Sequence, residues 1–133
     1  MKRNDETFVS DILIAAQSIA EYMHGVSRAT FDRKAEKRDA IIRQVGIVGE
    51  AASKLSAAFR ATHESIPWRN IIGMRNIVIH QYWEVDLDLV WTTAKKFVPE
   101  LAKSLGPIAA PKTRAKLDAE ITEGLAAKKP SKP

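Results

Sequence analysis

Apolar residues recur along most of the chain every three or four positions, as they do on the buried face of a helix. The first such segment covers about residues 5–23, and Gly25 follows it, where a helix readily ends. A polar stretch, SRATFDRKAEKRD, separates it from a second segment at about residues 41–60. The period-two alternation typical of β-strands is absent from the sequence. The pattern therefore predicts an all-α protein.

Two more helices are indicated by residues that favour helix starts. Pro67 predicts the start of a third helix, and Asp86 or Asp88 is a suitable N-cap for a fourth. Pro99 lies inside the fourth segment, where it is expected to kink or restart the helix. Four amphipathic helices with short connections predict an antiparallel four-helix up-down bundle.

Gly46 and Gly49 lie inside the second predicted helix, where each glycine costs about 1 kcal/mol relative to alanine. Glycine is tolerated in a helix where another backbone packs closely against it. The pair therefore predicts a tight helix crossing at this point.

The chain of 133 residues is expected to form one domain, with the bundle in residues 1–105 and a flexible basic tail in residues 106–133. The tail holds four of the six prolines and contributes +3 to the net charge of +5. Its middle suits a short helix, whereas its ends have the composition of disordered segments. Because the rest of the chain contributes only +2, overall basicity is weak evidence for nucleic-acid binding.

Composition excludes several classes of site. The chain has no cysteine, which rules out disulfides and thiolate zinc sites. His24 and His63 have no metal-ligand spacing to His80 or to each other. The apolar run at residues 12–16 is too short for a membrane span or a secretory signal. We therefore expect a cytoplasmic protein without a membrane-spanning segment.

The segment RNIVIHQY, residues 75–82, places Arg75 and His80 five positions apart in an apolar run. Five residues turn a regular helix by about 140° and advance it by about 7.5 Å, so the two side chains do not share a face. From spacing alone, a packed histidine and a salt-bridged surface arginine are the ordinary interpretation. A phosphate-binding pair is the alternative.

The surrounding sequence, IPWRNIIGMRNIVIHQYWEVDLDLVW, resembles the HepT-like branch of the HEPN superfamily. The branch is defined by Arg, four residues, His, any residue and Tyr, which Arg75, His80 and Tyr82 match in full, with Asn76 at the polar position. The resemblance extends upstream to the Gly-Glu-Ala step that contains Glu50, and it covers about residues 5–105. The tail lies outside it.

The resemblance implies a metal-independent endoribonuclease that needs no cofactor, usually the toxin of a two-gene toxin–antitoxin pair. The implied partners are RNA, a second copy of the chain that completes a composite active site, and a minimal nucleotidyltransferase antitoxin. Arg75 would bind the phosphate and stabilise the charged transition state. His80 would act as general acid–base, because the ordinary pKa of histidine, about 6.5, permits proton transfer in both directions near neutrality.

Several residues around this pair keep two interpretations. Asn76 would orient His80 or contact the phosphate, or else is a surface amide. Glu50 would brace Arg75, or else forms a salt bridge with Lys54 at i,i+4. In the resembling toxins the antitoxin attaches AMP to the tyrosine that corresponds to Tyr82, although packing is the ordinary role of such a residue. The three tryptophans fit core packing better than base stacking; they are Trp68, Trp83 and Trp91.

Two other functions are compatible with the sequence. In one, the chain is a catalytically silent subunit that binds a nucleotidyltransferase and a nucleotide. In the other, it is a helical DNA-binding protein, although GIVGEAASKLSAAFR lacks a convincing turn between two short helices.

Overall fold

The computed structural model of the protein describes residues 3–76, 85–109, 113 and 115–119. Within these residues the secondary structure is helical and no β-strand is present, so the all-α prediction is confirmed. The helices are α1 (Arg3–Met23), α2 (Arg28–Arg33), α3 (Ala35–Lys54), α4 (Ala57–Thr62), α5 (Trp68–Gly73), α6 (Leu87–Thr92) and α7 (Val98–Leu105).

The core lies between α1 and α3, which pack along each other more extensively than any other pair of described elements. α7 covers another side of α1, and α5 packs on α3. The largest fully buried side chains come from several of these helices and include Ile12, Ile19, Ile41, Ile71 and Leu101. Helix α3 thus packs against α1 in the core and also packs against α5, the helix that precedes Arg75.

The first helix ends as the sequence predicts, since Gly25 has a positive φ of 69°. Helix α2 was not predicted, because its buried residue, Phe31, lies in a charge-rich stretch. Arg28 of α2 donates to Asp32 at 2.9 Å and forms an ion pair with Asp88 at 2.7 Å. These hydrogen bonds raise the pKa of the Arg28 guanidinium and join α2 to the start of α6.

The second predicted helix is interrupted, so its continuous course to residue 60 is wrong. The carboxylate of Asp5 accepts hydrogen bonds from the backbone N–H and the hydroxyl of Ser56, both at 2.8 Å. The Ser56 hydroxyl in turn accepts from the N–H of Phe59 at 3.1 Å, which caps α4. The chain therefore ends α3 at Lys54 and begins a new helix after Ser56.

The fourth predicted segment starts and restarts where expected. The Asp86 carboxylate caps α6 by accepting from the N–H of Leu89 at 3.1 Å. A π-helical turn, Thr93–Phe97, then joins α6 to α7, and Pro99 lies in the first turn of α7. Proline has no N–H and its ring crowds the carbonyl four residues earlier, which accounts for the departure from α-helical geometry just before it.

Part of the segment after residue 105 contacts the bundle. Gly106–Ile108 form a 3-10 turn, and Thr113 is buried. The side-chain amide of Gln17 in α1 donates to the carbonyl of Leu117 at 3.4 Å, and Leu117 packs against the core. The boundary at residue 106 remains a prediction. Among the described helices, none combines the length and apolar character needed to cross a membrane.

Candidate active site

Helix α5, which leads to the arginine motif, is anchored by Trp68. The indole N–H of Trp68 donates to the carbonyls of Arg60 at 3.2 Å and His63 at 3.0 Å, and the side chain is 9% exposed. Its predicted role in packing is confirmed. Trp91 is half-buried with its ring centroid 5.2 Å from that of Phe31, which also fits packing.

Gly49 sets the distance between α3 and α5. A Cβ atom built on it would lie 2.7 Å from the carbonyl oxygen of Ile71 and 2.8 Å from the backbone nitrogen of Arg75. Real Cβ atoms do not approach backbone atoms this closely. The tight crossing predicted at this glycine is confirmed, and it places the backbone of Arg75 directly against α3.

We expect Gly49→Ala to lower the free energy of unfolding by about 1–3 kcal/mol, because the methyl group meets backbone rather than a flexible side chain. This is the net loss, which remains after the gain of about 1 kcal/mol from the better helix propensity of alanine is subtracted from the larger cost of the contact with backbone. Urea denaturation of both proteins measures the difference.

Gly73→Ala is the matched control, because nothing lies within 4 Å of a Cβ atom built on Gly73. It should be neutral or stabilising by up to about 1 kcal/mol. Equal stability of the Gly49 and Gly73 variants would contradict the close approach of α3 and α5.

Glu50 contacts both residues that the sequence offered as its partners. One carboxylate oxygen lies 3.5 Å from Nε of Arg75, and the other lies 3.5 Å from Nζ of Lys54. The side chains of Arg75 and Glu50 are each 43% exposed, and ion pairs this exposed contribute little to stability. The contact places the carboxylate of Glu50 beside the guanidinium of Arg75, and the bracing role of Glu50 stays a prediction.

The two neighbours of Arg75 in sequence have opposite surroundings. Met74 is 3% exposed, and the buried hydroxyl of Thr93 donates to its sulfur at 3.6 Å. Asn76 is exposed. With Met74 fixed in the core, Arg75 and Asn76 are left on the outer side of this segment.

Arg75 and Asn76 line an open groove of about 650 Å³. The described residues lining it are Arg60, Trp68, Arg69, Ile72, Gly73, Arg75 and Asn76. Three of these are arginines, so the groove is strongly cationic and suited to an anionic ligand. Arg60 and Arg69 were not singled out by the sequence: Arg69 lies within the stretch that resembles the family but outside its Arg-x4-His-x-Tyr motif, and Arg60 lies on another helix.

His80 and Tyr82, as well as Trp83, lie outside the described residues. The structure therefore places Asn76 beside Arg75 in the groove and Glu50 in contact with Arg75, and the roles of all five site residues stay predictions. Within the described part of the chain, no group of three or more His, Asp or Glu side chains is placed to hold a metal ion.

Comparison with known protein families identifies the family of this chain. The family model described as "Ribonuclease HepT-like" matches residues 12–108, a region that contains Glu50 and every position from Arg75 to Tyr82. The chain belongs to the HepT-like ribonuclease family. The resemblance seen in the sequence is thereby confirmed, and so is the class of enzyme, an RNA endonuclease.

Relatives of similar length match this HepT-like chain over most of their own sequence. A candidate RNase of Methanocaldococcus jannaschii is 34% identical over 104 residues, which are 78% of this chain and 95% of the relative. A candidate RNase of Caldanaerobacter subterraneus is 34% identical over 101 residues, 76% of this chain and 90% of the relative. A candidate ribonuclease HepT of Thermococcus cleftensis is 34% identical over 101 residues, which are 76% of this chain and 92% of the relative. No solved structure matches the chain significantly.

Proposed function

We propose that this HepT-like protein is the toxin of a toxin–antitoxin pair and cleaves RNA by attack of a 2′-hydroxyl on the adjacent phosphate, without a metal ion. The observation that supports this most strongly is the position of Arg75. Its Nε lies 3.5 Å from the carboxylate of Glu50, and the residue lines a groove with two more arginines. A cationic groove of this kind suits a ribose–phosphate backbone.

The chemistry needs a base, an acid and stabilisation of negative charge. His80 removes the proton of the 2′-hydroxyl, and the oxygen forms a bond to phosphorus. The bond from phosphorus to the 5′-oxygen then breaks, and that oxygen takes up a proton. The products are a 2′,3′-cyclic phosphate and a 5′-hydroxyl. Arg75 stabilises the negative charge of the pentacoordinate phosphate by paired hydrogen bonds, and Asn76 orients His80 or contacts the phosphate.

A homodimer explains the spacing of the motif. On a regular helix Arg75 and His80 are separated by about 140°, so a single helix does not present both to one phosphate. Two protomers that face each other through this segment would combine two Arg/His sets in one cleft. The composite site belongs to the proposal, as does the identity of the antitoxin.

Cleavage in the presence of EDTA tests the proposal. Purified protein should cut RNA with a chelator present, and the Arg75→Ala and His80→Ala variants should not. Intact RNA together with tight binding to a nucleotidyltransferase would instead identify a catalytically silent subunit.

Tyr82 is proposed as the residue that the antitoxin modifies. A nucleotidyltransferase would join the tyrosine oxygen to the α-phosphorus of ATP and release pyrophosphate. The added phosphate places negative charge close in sequence to Arg75 and would compete with RNA for it. Co-expression with the product of the neighbouring gene should add the mass of an AMP group and abolish cleavage. The Tyr82→Phe variant should stay unmodified, and an addition that survives this change would contradict the assignment.

A further inference from the structure

Arg60 and Arg69 extend the cationic groove beyond the family motif. Arg69 is exposed on α5, and Arg60 is half-buried near the end of α4. Both line the same groove as Arg75 and Asn76. Helices α4 and α5, together with the residues that follow α5, thus bring three arginines to one concave surface, although only Arg75 belongs to the motif that defines the family.

The arginines of this groove have unused hydrogen-bonding capacity. Within the described residues, the buried side-chain nitrogens without a hydrogen-bond partner are Nε of Arg60 and Nε of Arg75. For Arg75, the carboxylate of Glu50 at 3.5 Å is an ion-pair contact but not a hydrogen bond. Buried donors in native proteins are normally paired, so each unpaired one needs an explanation. Because these two nitrogens are inaccessible to solvent, a ligand oxygen can pair with them only after the side chain turns, so the attraction for an anion comes mainly from the three arginines that line the groove.

The groove is held in shape by contacts that do not use the guanidinium groups. Trp68 bonds to the carbonyls of Arg60 and His63 through its indole N–H, which fixes α4 to the start of α5. Arg69 is the next residue along α5. The anchor therefore fixes the relative positions of the backbones that carry Arg60 and Arg69, and such preorganisation lowers the cost of binding.

We propose that Arg60 and Arg69 form a second phosphate-binding subsite, which holds a backbone phosphate of the RNA next to the one at Arg75. This inference rests on the proposed function, because it assumes that the scissile phosphate lies at Arg75. The subsite increases the affinity for RNA and fixes which phosphate lies at Arg75, whereas Arg75 and His80 act on the reacting bonds. It follows that a dinucleotide with a single phosphate is a poorer substrate than an RNA that spans both subsites.

Salt dependence of RNA binding tests the subsite directly. The probe is a 2′-O-methyl RNA oligonucleotide, which lacks the proposed nucleophile and therefore stays intact. Each lost phosphate contact should reduce the slope of log K against log salt by about 0.7 for a single strand. Arg69→Ala should show this reduction, and Arg60→Ala should show it as well if its circular dichroism spectrum and unfolding midpoint match those of the wild type.

Arg33→Ala is the matched control, because Arg33 is an exposed arginine on α2 that is not among the groove residues. This variant loses the same charge and should keep the wild-type slope. An equal slope for Arg33→Ala and Arg69→Ala would overturn the subsite, whatever the outcome for Arg60.

Cleavage kinetics separate this inference from the proposed function. Arg69→Ala should raise KM about tenfold with little change in kcat, as expected when one charge-assisted contact is lost equally from substrate and transition state. Unchanged KM for Arg69→Ala, with activity still lost in Arg75→Ala, would overturn the subsite and leave the nuclease intact. Absence of cleavage by the wild type would overturn the nuclease, while the binding slopes would still decide the subsite.

Discussion

Arg75→Ala is expected to slow RNA cleavage about 10²–10³-fold, the usual cost of removing one preorganised group that stabilises transition-state charge. The reason lies in the position of the residue, which lines the cationic groove with its Nε 3.5 Å from the carboxylate of Glu50. Most of the loss should appear in kcat, since the charge on the phosphate grows as the bond to the 2′-oxygen forms. Single-turnover cleavage with enzyme in excess measures it.

Three further variants show which property of Arg75 causes the loss of cleavage rate. Arg33→Ala should keep the wild-type rate, which excludes an effect of net charge. Arg75→Lys should remain impaired, because an ammonium group does not offer the paired donors of a guanidinium. Glu50→Gln should cost less than Arg75→Ala, since the amide keeps the shape of the carboxylate but weakens the hold on Arg75. Full activity of Arg75→Ala would remove the arginine from the mechanism.

His80→Ala is expected to reduce the rate by about 10²–10⁴-fold, the usual contribution of a general acid or base. His80 would serve both as the base for the 2′-hydroxyl and as a source of the proton for the leaving oxygen, so a neutral methyl group replaces neither function. The measurement is the same single-turnover assay. His63→Ala is the control, because the His63 ring stacks on Phe59 with centroids 4.7 Å apart and is not among the groove residues.

An RNA substrate with an activated leaving group at the 5′-oxygen distinguishes loss of the acid from loss of the base. If His80 supplies the proton to that oxygen, the activated substrate should recover part of the rate of His80→Ala. A His80→Ala enzyme as fast as wild type on ordinary RNA would contradict any role of the imidazole.

Local signals in the sequence predict the ends of several helices. Gly25, Pro67 and Asp86 mark boundaries through backbone freedom, fixed φ and side-chain capping, which depend only on neighbouring residues. The break at Ser56 was missed because the apolar pattern continues through it to Phe59, and because the carboxylate of Asp5, which binds this N-cap residue, lies 51 positions away. The helix at Phe31 was missed because one buried residue in six creates no periodic pattern.

The site was predictable where it follows a linear motif and not where it depends on packing. Arg75 and Asn76 came from the motif, and the tight crossing at Gly49 came from the cost of glycine in a helix. The sequence offered Arg75 or Lys54 as the partner of Glu50, whereas the structure shows contacts with both. The position of Arg60 and Arg69 in one groove could not be predicted from the sequence, because it depends on the packing of α4 against α5 through Trp68.

End-group analysis of the cleaved RNA tests the central claim most directly. An oligonucleotide is cut in EDTA, and the same oligonucleotide with a single 2′-deoxy substitution at the cleaved nucleotide is incubated in parallel. The account predicts a 2′,3′-cyclic phosphate and a 5′-hydroxyl from the first, and no cleavage at that position in the second. Cleavage of the 2′-deoxy substrate at the same bond would contradict it, because the nucleophile would then have to come from elsewhere.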